Sequence, residues 1–419
     1  MRGRLLVPLV IVVLAIGTTR PAIALGERPN VSPFDGGVTV PRPLSAILPA
    51  LPLDLGTDLS LFGVSSADLA TAGPAMTTDP DPNFVVDDNG LDCPTATYTS
   101  IQAAVTAAPP GTRIRVCAGT YTEQVTIPAG KDGLLLYSTP DLAAVIKAPA
   151  TMTDPKAIVL VRGAHNVTIR HFTITGPGST LCDSLRYGVR VDTGGSALIE
   201  SNHITEIHDT PFGGCQNGVA VLAGRNLEGT TGAAEVSHNL IDRYQKGGVV
   251  IDNTGSFGNV HHNRILGPGT QPSNAPNGIQ VSRGAGATAD YNVVTGNSYT
   301  FNTVFIGTGI IIYQAGSNLA IGYNEVFKND DGVSLYTTNG TLIEHNYSHD
   351  QIVYDGFFAD FDAPNNTFSH NRAENNAEFD CDDFTTGPNN PPAFVANFWD
   401  HDLGDTENKP GLCKATPNH

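Results

Sequence analysis

Carboxylates that return at a fixed place in a repeat are the first candidates for chemistry in this chain. Asp331 and Asp355 each stand directly before a glycine that opens an apolar-x-apolar triplet, Gly332-Val333-Ser334-Leu335 and Gly356-Phe357-Phe358-Ala359. If the two triplets are neighbouring turns of one repeat, their carboxylates lie a strand spacing apart. Like charges so close push their pKa values in opposite directions and can divide into a general acid and a nucleophile. Asp-Gly is also ordinary turn chemistry, and Asn217 and Asn277 hold the same place in other copies. Four positions past the glycines the chain carries Asp192, Leu222, Asp252, Ser282, Tyr313, Tyr336 and Asp360. With Tyr354, Asp362, His349 and Asp350, this predicts an outward patch of acids and aromatics toward the C-terminal end. Aromatic faces stack on sugar rings, and carboxylates serve as acid, base or Ca²⁺ ligands. Asp331, Asp355, Asp360 and Asp362 are therefore the candidate catalytic groups, and Tyr313, Tyr336 and Tyr354, with Arg264 and Arg283, the candidate binding groups. Ca²⁺ is a candidate cofactor with no ligand set assigned, and a solvated, solubilising face accounts for the same residues.

These residues are positioned by a phrase that returns seven times, at Gly188, Gly218, Gly248, Gly278, Gly309, Gly332 and Gly356. Each copy is followed by an asparagine: Asn202, Asn239, Asn263, Asn292, Asn324, Asn346 and Asn371. Six of the seven Gly-to-Asn separations are 14 or 15 residues, and the Gly-to-Gly steps run 30, 30, 30, 31, 23 and 24. After the glycine, apolar residues alternate as in a strand. Around the asparagine the residues three before and two after are apolar, which one continuous strand cannot satisfy, so the asparagine sits in a corner. Short strands repeating every 23 to 31 residues predict a parallel β-helix, whose coils bury their inner faces by stacking. Corner asparagines about 4.8 Å apart can then bond to one another as a structural ladder. The residues just before them, Ser201, His238, His262, Tyr291, Tyr323, His345 and His370, should form an outer ring stack. Paired histidines one coil apart could hold a metal, but no cysteine or acid joins them at fixed spacing.

Loop lengths point to a wall. From asparagine to the next glycine the counts are 16, 9, 15, 17, 8 and 10, so Thr205 to Asn217, Leu266 to Asn277 and Thr295 to Thr308 are long excursions from one corner. Insertions on one side of a solenoid often build its binding face. The second coil instead lengthens elsewhere, over Ala223 to Gly232.

The chain has 419 residues, only 15% of them charged, and a formal net charge of −18. No basic stripe exists to neutralise phosphates, which excludes nucleic acid as the expected partner. Polyuronates are disfavoured as well, unless Ca²⁺ bridges them or Arg264, Arg283 and Lys246 make a basic strip. Residues 1–24 read as a secretory signal: Arg2 and Arg4, an apolar core from Leu5 to Ile16, then Ala22-Ile23-Ala24. That core is short for a membrane span, and none is expected after cleavage. Residues 25–82, rich in Pro, Leu, Gly and Ser, read as a leader or linker; packing of Leu55 to Leu69 on the β-helix is the other possibility. Export makes disulfides plausible for the six cysteines, which allow 15 connectivities. Order and placement point to Cys93 with Cys117, Cys182 with Cys215, and Cys381 with Cys413. A monomer is expected.

Ile101, Ala104, Val105 and Ala108 share one face of a helix that Thr99 or Ser100 can cap and Pro109-Pro110-Gly111 stops. Such a helix can lid the open first coil. Strands at Arg113 to Cys117 and Gln124 to Ile127 follow. The phrases Tyr98-Thr99-Ser100-Ile101-Gln102-Ala103-Ala104-Val105, Arg113-Ile114-Arg115-Val116 and Gly119-Thr120-Tyr121-Thr122-Glu123 resemble the opening of right-handed parallel β-helix proteins of the pectin-lyase-like superfamily. Asn166-Val167-Thr168-Ile169 and the Gly-Val-x-Val coils extend that resemblance to about residue 375, and the tail from Asp380 through Trp399 to Cys413 is similar to secreted members without assigned chemistry. The resemblance implies a β-helix over 83–380, a C-terminal cap over 381–419, and activity on or binding of an extracellular polysaccharide. The pectinesterase elements Gly-Arg-Pro-Trp and Asp-Phe-Ile-Phe-Gly, the polygalacturonase Gly-His-Gly and Arg-Ile-Lys, and the epimerase Asp-Pro-His-Asp are absent. No specific activity transfers, and a lyase, a hydrolase, a binding protein and a non-catalytic surface rod stay open.

Overall fold

A computed structural model describes residues 35–37, 82–182, 184–300, 305–317 and 319–414. The expected signal and nearly all of the 25–82 leader lie outside these, as do 301–304 in the third long excursion. Among the described residues no helix is long and apolar enough to cross a membrane.

Each coil visits three sheets in turn, and strands of successive coils pair in parallel with their equivalents. The first sheet holds the strands that open with the repeat glycine, such as Tyr187–Asp192, Asn277–Ser282, Thr308–Tyr313 and Asp331–Tyr336. The second holds Gly195–Glu200, Gly286–Asp290 and Leu342–Glu344, and the third His203–Thr205, Glu325–Phe327 and Tyr347–His349. Together they form a right-handed parallel β-helix. One strand, Gly247–His261, runs without a break through the first two sheets.

Register turns the sequence alternation into columns. Val189, Val221, Val249, Ile279, Ile310, Val333 and Phe357 stack at one inward position of the first sheet. Ile199, Val236, Val260, Ala289, Ile321, Ile343, Phe368 and Trp399 stack in the second. Ile204, Ile241, Ile265, Val294 and Val326 do so in the third. They join one core running from Val86 to Leu412. The repeat glycine is required where the third sheet hands over to the first: a Cβ on Gly309 would lie 2.3 Å from the Val326 side chain, and one on Gly332 2.2 Å from the Gly356 carbonyl.

The corner between second and third sheets is uniform. The residue before each ladder asparagine adopts the left-handed conformation, with φ from 54° to 57° from Ser201 to His370. The asparagine then closes the corner against its neighbours. Asn239 donates Nδ2 to Asn263 Oδ1 (3.0 Å) and to the Ile199 carbonyl (2.8 Å), and its backbone N–H also reaches Asn263 Oδ1 (3.0 Å). The same bonds recur from Asn202 to Asn371. The ladder ends on Phe172, whose N–H donates to Asn202 Oδ1, and on Asp402, which accepts both the backbone and side-chain N–H of Asn371 at 2.8 Å.

The ends are closed by different means. The helix Ile101–Ala107 is capped by Ser100 and by Glu123, which accepts from Ser100 Oγ and from the Ile101 and Gln102 N–H groups. At the other end the stack runs past residue 380. Cys381–Asp383 pairs with Phe357–Ala359, and Phe398–Asp400 pairs with Thr367–Ser369. The disulfides are Cys93–Cys117, Cys182–Cys215 and Cys381–Cys413.

Candidate functional site

Two rows of side chains point away from the core along the first sheet. One runs Leu160, Arg190, Leu222, Val250, Gln280, Ile311, Ser334 and Phe358. The other includes Arg162, Asp192, Asp252, Ser282, Tyr313 and Tyr336. Their chemistry changes along the rod. Near the N-terminal end Arg190 bridges Asp192 (3.0 Å) and Glu228, and Arg162 also reaches Asp192 (3.1 Å). In the middle Asn277 Nδ2 donates to Gln280 Oε1 (3.2 Å), Gln280 Nε2 contacts Ser282 Oγ (3.0 Å), and Ser282 donates to Asp252. Beyond that Ile311, Tyr313, Tyr336 and Phe358 form an apolar cluster outside the core.

The candidate acids sit in this region with structural partners. Asp331 Oδ1 accepts the Asp355 N–H (3.1 Å) and its Oδ2 accepts Ser334 Oγ (2.8 Å); Asp355 Oδ1 accepts the Phe379 N–H (3.0 Å). Each therefore fastens the backbone of the next coil, and both are buried. Asp360 Oδ1 accepts the Phe361 N–H, and Asp362 accepts the Thr337 N–H and hydroxyl. Among the described residues these four carboxylates do not converge as a three-donor metal set. The tyrosines are less open than an outward patch predicts: Tyr313, Tyr336 and Tyr354 are 7%, 5% and 8% exposed, and Asp360 is 7%. Rings on neighbouring coils shield one another and the groups between them. Arg283 lies over the Tyr313 ring, 5.8 Å from its centroid.

The basic strip does not form. Arg264 opens a third-sheet strand, Arg283 follows a first-sheet strand, and Lys246 is buried in the corner before the first sheet, so the three cations fall on different parts of the coil. Burial lowers the Lys246 ammonium to about 7, and its Nζ donates to the Ala275 carbonyl (2.8 Å).

Around that lysine two of the long excursions are knit together. Gln245 accepts the Asp209 and Gly213 N–H groups (3.1 Å each) and donates to Asp209, Asn217 and the Cys215 carbonyl. Asn274 Nδ2 in turn reaches the Cys215 carbonyl at 2.9 Å. Further along the same corner Asp330 accepts the Tyr299 and Gly307 N–H groups (2.7 and 2.8 Å), and burial raises its carboxyl to about 6.

Three features lay beyond the sequence reading. Asn297, Asn329, Gln351 and Asn376 form a second ladder at the corner leading into the first sheet, for instance Asn297 Nδ2 to Asn329 Oδ1 at 2.9 Å and Asn329 N–H to Gln351 Oε1 at 2.9 Å. Each sits five residues after a first-ladder asparagine, a spacing that could have revealed them. Asn366 and Asn397 form a short third one. Finally, the apolar cluster continues into Phe384, whose ring lies 6.0 Å from that of Phe358; Phe384 and Phe361 are 37% and 53% exposed.

On the opposite edge the ring stack is continuous. His238, His262, Tyr291, Tyr323, His345, His370 and His401 follow one another with centroids 4.8 to 5.1 Å apart and interplanar angles of 8° to 21°. Burial lowers His262 to about 4, with the neighbouring His238 and His261 adding to the shift.

The model for "right handed beta helix region" matches residues 226–390. No curated protein sequence matches the chain. Among solved structures, the lacto-N-biosidase of Eubacterium ramulus, a GH136 enzyme, is similar at 13% identity and a TM-score of 0.52, over 79% of this chain and 66% of that one. This chain thus spans slightly less than two thirds of that enzyme's length. Pectin methylesterases from Aspergillus niger (14% identity, TM-score 0.34, 72% and 88% covered) and carrot (12%, 0.31, 81% and 86%) are more distant in shape. At 13% identity the likeness to the lacto-N-biosidase is one of fold.

Proposed function

Taking the chain as a right-handed parallel β-helix protein with the pectin-lyase-like fold, we propose that it is an exported protein that binds an extracellular polysaccharide at the C-terminal end of its first sheet. The observation that carries this reading is the aromatic cluster of Tyr313, Tyr336 and Phe358, which continues into the exposed ring of Phe384; Asp360 and the exposed Phe361 follow Phe358 closely in the chain. Sugar rings present apolar faces and hydroxyls together, and such a cluster offers stacking surface with a carboxylate acceptor alongside. The solved structure of similar fold is that of a lacto-N-biosidase, which supports a saccharide as the ligand class. Three disulfides support an oxidising compartment. Binding fits better than turnover, because Asp331 and Asp355 are both occupied in holding backbone N–H groups.

The test is a glycan array and a reducing-sugar assay on the purified chain, with and without Ca²⁺. The variant Phe361→Ala/Phe384→Ala should weaken glycan binding about 10- to 100-fold, as expected for two stacking rings at roughly 1 kcal/mol each plus lost contact area. Binding indifferent to that variant sinks the assignment of the site. Turnover that disappears in Asp355→Asn/Asp360→Asn, with folding intact, would make the protein an enzyme instead.

A further inference from the structure

The ring stack ends in a group of donors that its other members lack. Ser369 pairs in register with Asp400, and the His370 N–H donates to the Asp400 carbonyl at 2.9 Å, so His370 and the pair Asp400-His401 are fixed on adjacent coils. His370 and His401 both take the left-handed corner conformation, with φ of 57° and 59°, and their rings stack 4.9 Å apart. One donor atom each from His370, Asp400 and His401 lies within 4.8 Å of the others. We propose that these three side chains bind a divalent transition-metal ion of the zinc or copper type.

Geometry and donor chemistry both favour this. A first-row ion sits about 2.0–2.1 Å from imidazole nitrogen, which places two nitrogen donors at most about 4.2 Å apart. The separation present, within 4.8 Å, therefore needs a contraction of under about 1 Å from each side chain and a tilt of the two rings out of their parallel stack, which the exposure of all three leaves room for. The backbone, by contrast, is held by strand pairing, so little main-chain order has to be created on binding. His401 Nδ1 lies 2.6 Å from Asp400 Oδ1, and His370 Nδ1 lies 2.8 Å from Ser369 Oγ. These contacts engage Nδ1 of both rings and leave each Nε2 as a donor for the ion once the rings tilt, with Asp400 offering its carboxylate beside them. Two imidazoles with one carboxylate select zinc, copper or nickel over the oxygen-loving Ca²⁺ and Mg²⁺. The remaining positions would be filled by water.

Elsewhere on the stack the arrangement differs. His238, His261 and His262 crowd together, with His261 Nδ1 3.0 Å from His262 Nδ1 and its Nε2 3.2 Å from Glu235, yet among the described residues they do not close into a three-donor set. Because His370 comes from one coil and Asp400 and His401 from the next, an ion here would clamp the last second-sheet strand, Phe398–Asp400, onto the stack.

The chain contains a single tryptophan, Trp399, which immediately precedes Asp400 and stacks on Phe368 at 3.9 Å. Copper binding is therefore read directly as quenching of its emission, in protein carrying no histidine tag. At pH 7.5 the expected result is saturable quenching with one Cu²⁺ per chain, competed by Zn²⁺ but not by Ca²⁺. His370→Ala/His401→Ala should weaken it at least 20-fold without altering the metal-free melting curve, while His238→Ala leaves it unchanged. Zn²⁺ should also raise the melting temperature of the native chain and not of the double variant. Non-saturable quenching, or quenching that survives the double variant, overturns the proposal.

Discussion

The two corners that flank the third sheet solve one problem in opposite ways. At the entry corner every coil from Asn202 to Asn371 uses the same residue, the same left-handed neighbour and the same bonds. At the exit corner the coils differ. Gln245 ties down one long loop at several points, Lys246 rests on one carbonyl, Asp330 collects two backbone N–H groups, and a ladder appears only from Asn297 onward. A uniform corner makes a rod; a variable one makes room for loops, and the loops carry what distinguishes this chain from any other β-helix. Buried polar groups must be paired at both corners, so the difference lies in whether one solution is repeated or each coil finds its own.

The sharpest way to break the uniform corner is Asn292→Ala, at mid-ladder. It removes the acceptor of the Asn263 N–H and Nδ2 (3.1 and 3.0 Å) and the donor to the Val260 carbonyl (2.9 Å). Asn263 Nδ2 keeps its bonds to the Val236 and His261 carbonyls, so one buried donor, the Asn263 N–H, is left unpaired while the bonds of Asn292 to Val260 and Asn324 are lost, and the cost should be about 3–4 kcal/mol. Denaturant unfolding checks the magnitude. Hydrogen exchange checks the place, since coils on both sides of residue 292 should lose protection together.

The same truncation at the variable corner should cost less. Asn329→Ala strands the Asn297 N–H and leaves Asn297 Nδ2 with a long bond to the Thr295 carbonyl (3.4 Å), but the bonds that Asn329 itself donates across coils, to Gln351 Oε1 and the Val294 carbonyl, are long at 3.3 and 3.4 Å, beside a local one to the Phe327 carbonyl at 3.1 Å. About 2–3 kcal/mol is expected by the same unfolding measurement. A cost equal to that of Asn292→Ala would erase the distinction between the corners.

How much of this the sequence disclosed follows the same division. The uniform corner was legible because a period needs only identity at a fixed spacing, as in Asn263, Asn292 and Asn324. The second ladder obeys an equally fixed offset of five, but Gln351 breaks the identity and the N-terminal coils lack it, so no period marks it. Membership of the outward rows was legible too, since alternation places Tyr313 and Tyr336 together on one face. Their burial was not, because it depends on what lies beside a row, including Ile311 and Phe358, and period alone does not weigh neighbours. Arg264, Arg283 and Lys246 show the other limit. Closeness along a coil says nothing about which of three sheets a residue reaches.

The end of the first ladder offers the finest comparison, because there an acid takes the asparagine's place. Asp402 is buried, accepts two bonds from Asn371 and one from the Asp400 N–H, and burial pushes its carboxyl up to about 7. Since the folded value exceeds the unfolded one near 3.9, the unfolded chain ionises first as pH rises. The stability held by the neutral form is complete below about pH 4, falls between about pH 4 and 7, and is gone above. Asp402→Asn restores a neutral side chain whose Oδ1 can accept from Asn371 as every other rung does. At pH 8 this variant should be more stable than the native chain by on the order of 1–2 kcal/mol, well short of the full linkage value because three N–H groups already offset much of the ionised form's cost. At pH 4 the two should coincide. Melting curves at both pH values decide the matter: an advantage that persists at pH 4 would mean that the amide improves packing rather than removing a charge, and the acid would then be one more rung of the uniform corner instead of its pH-sensitive end.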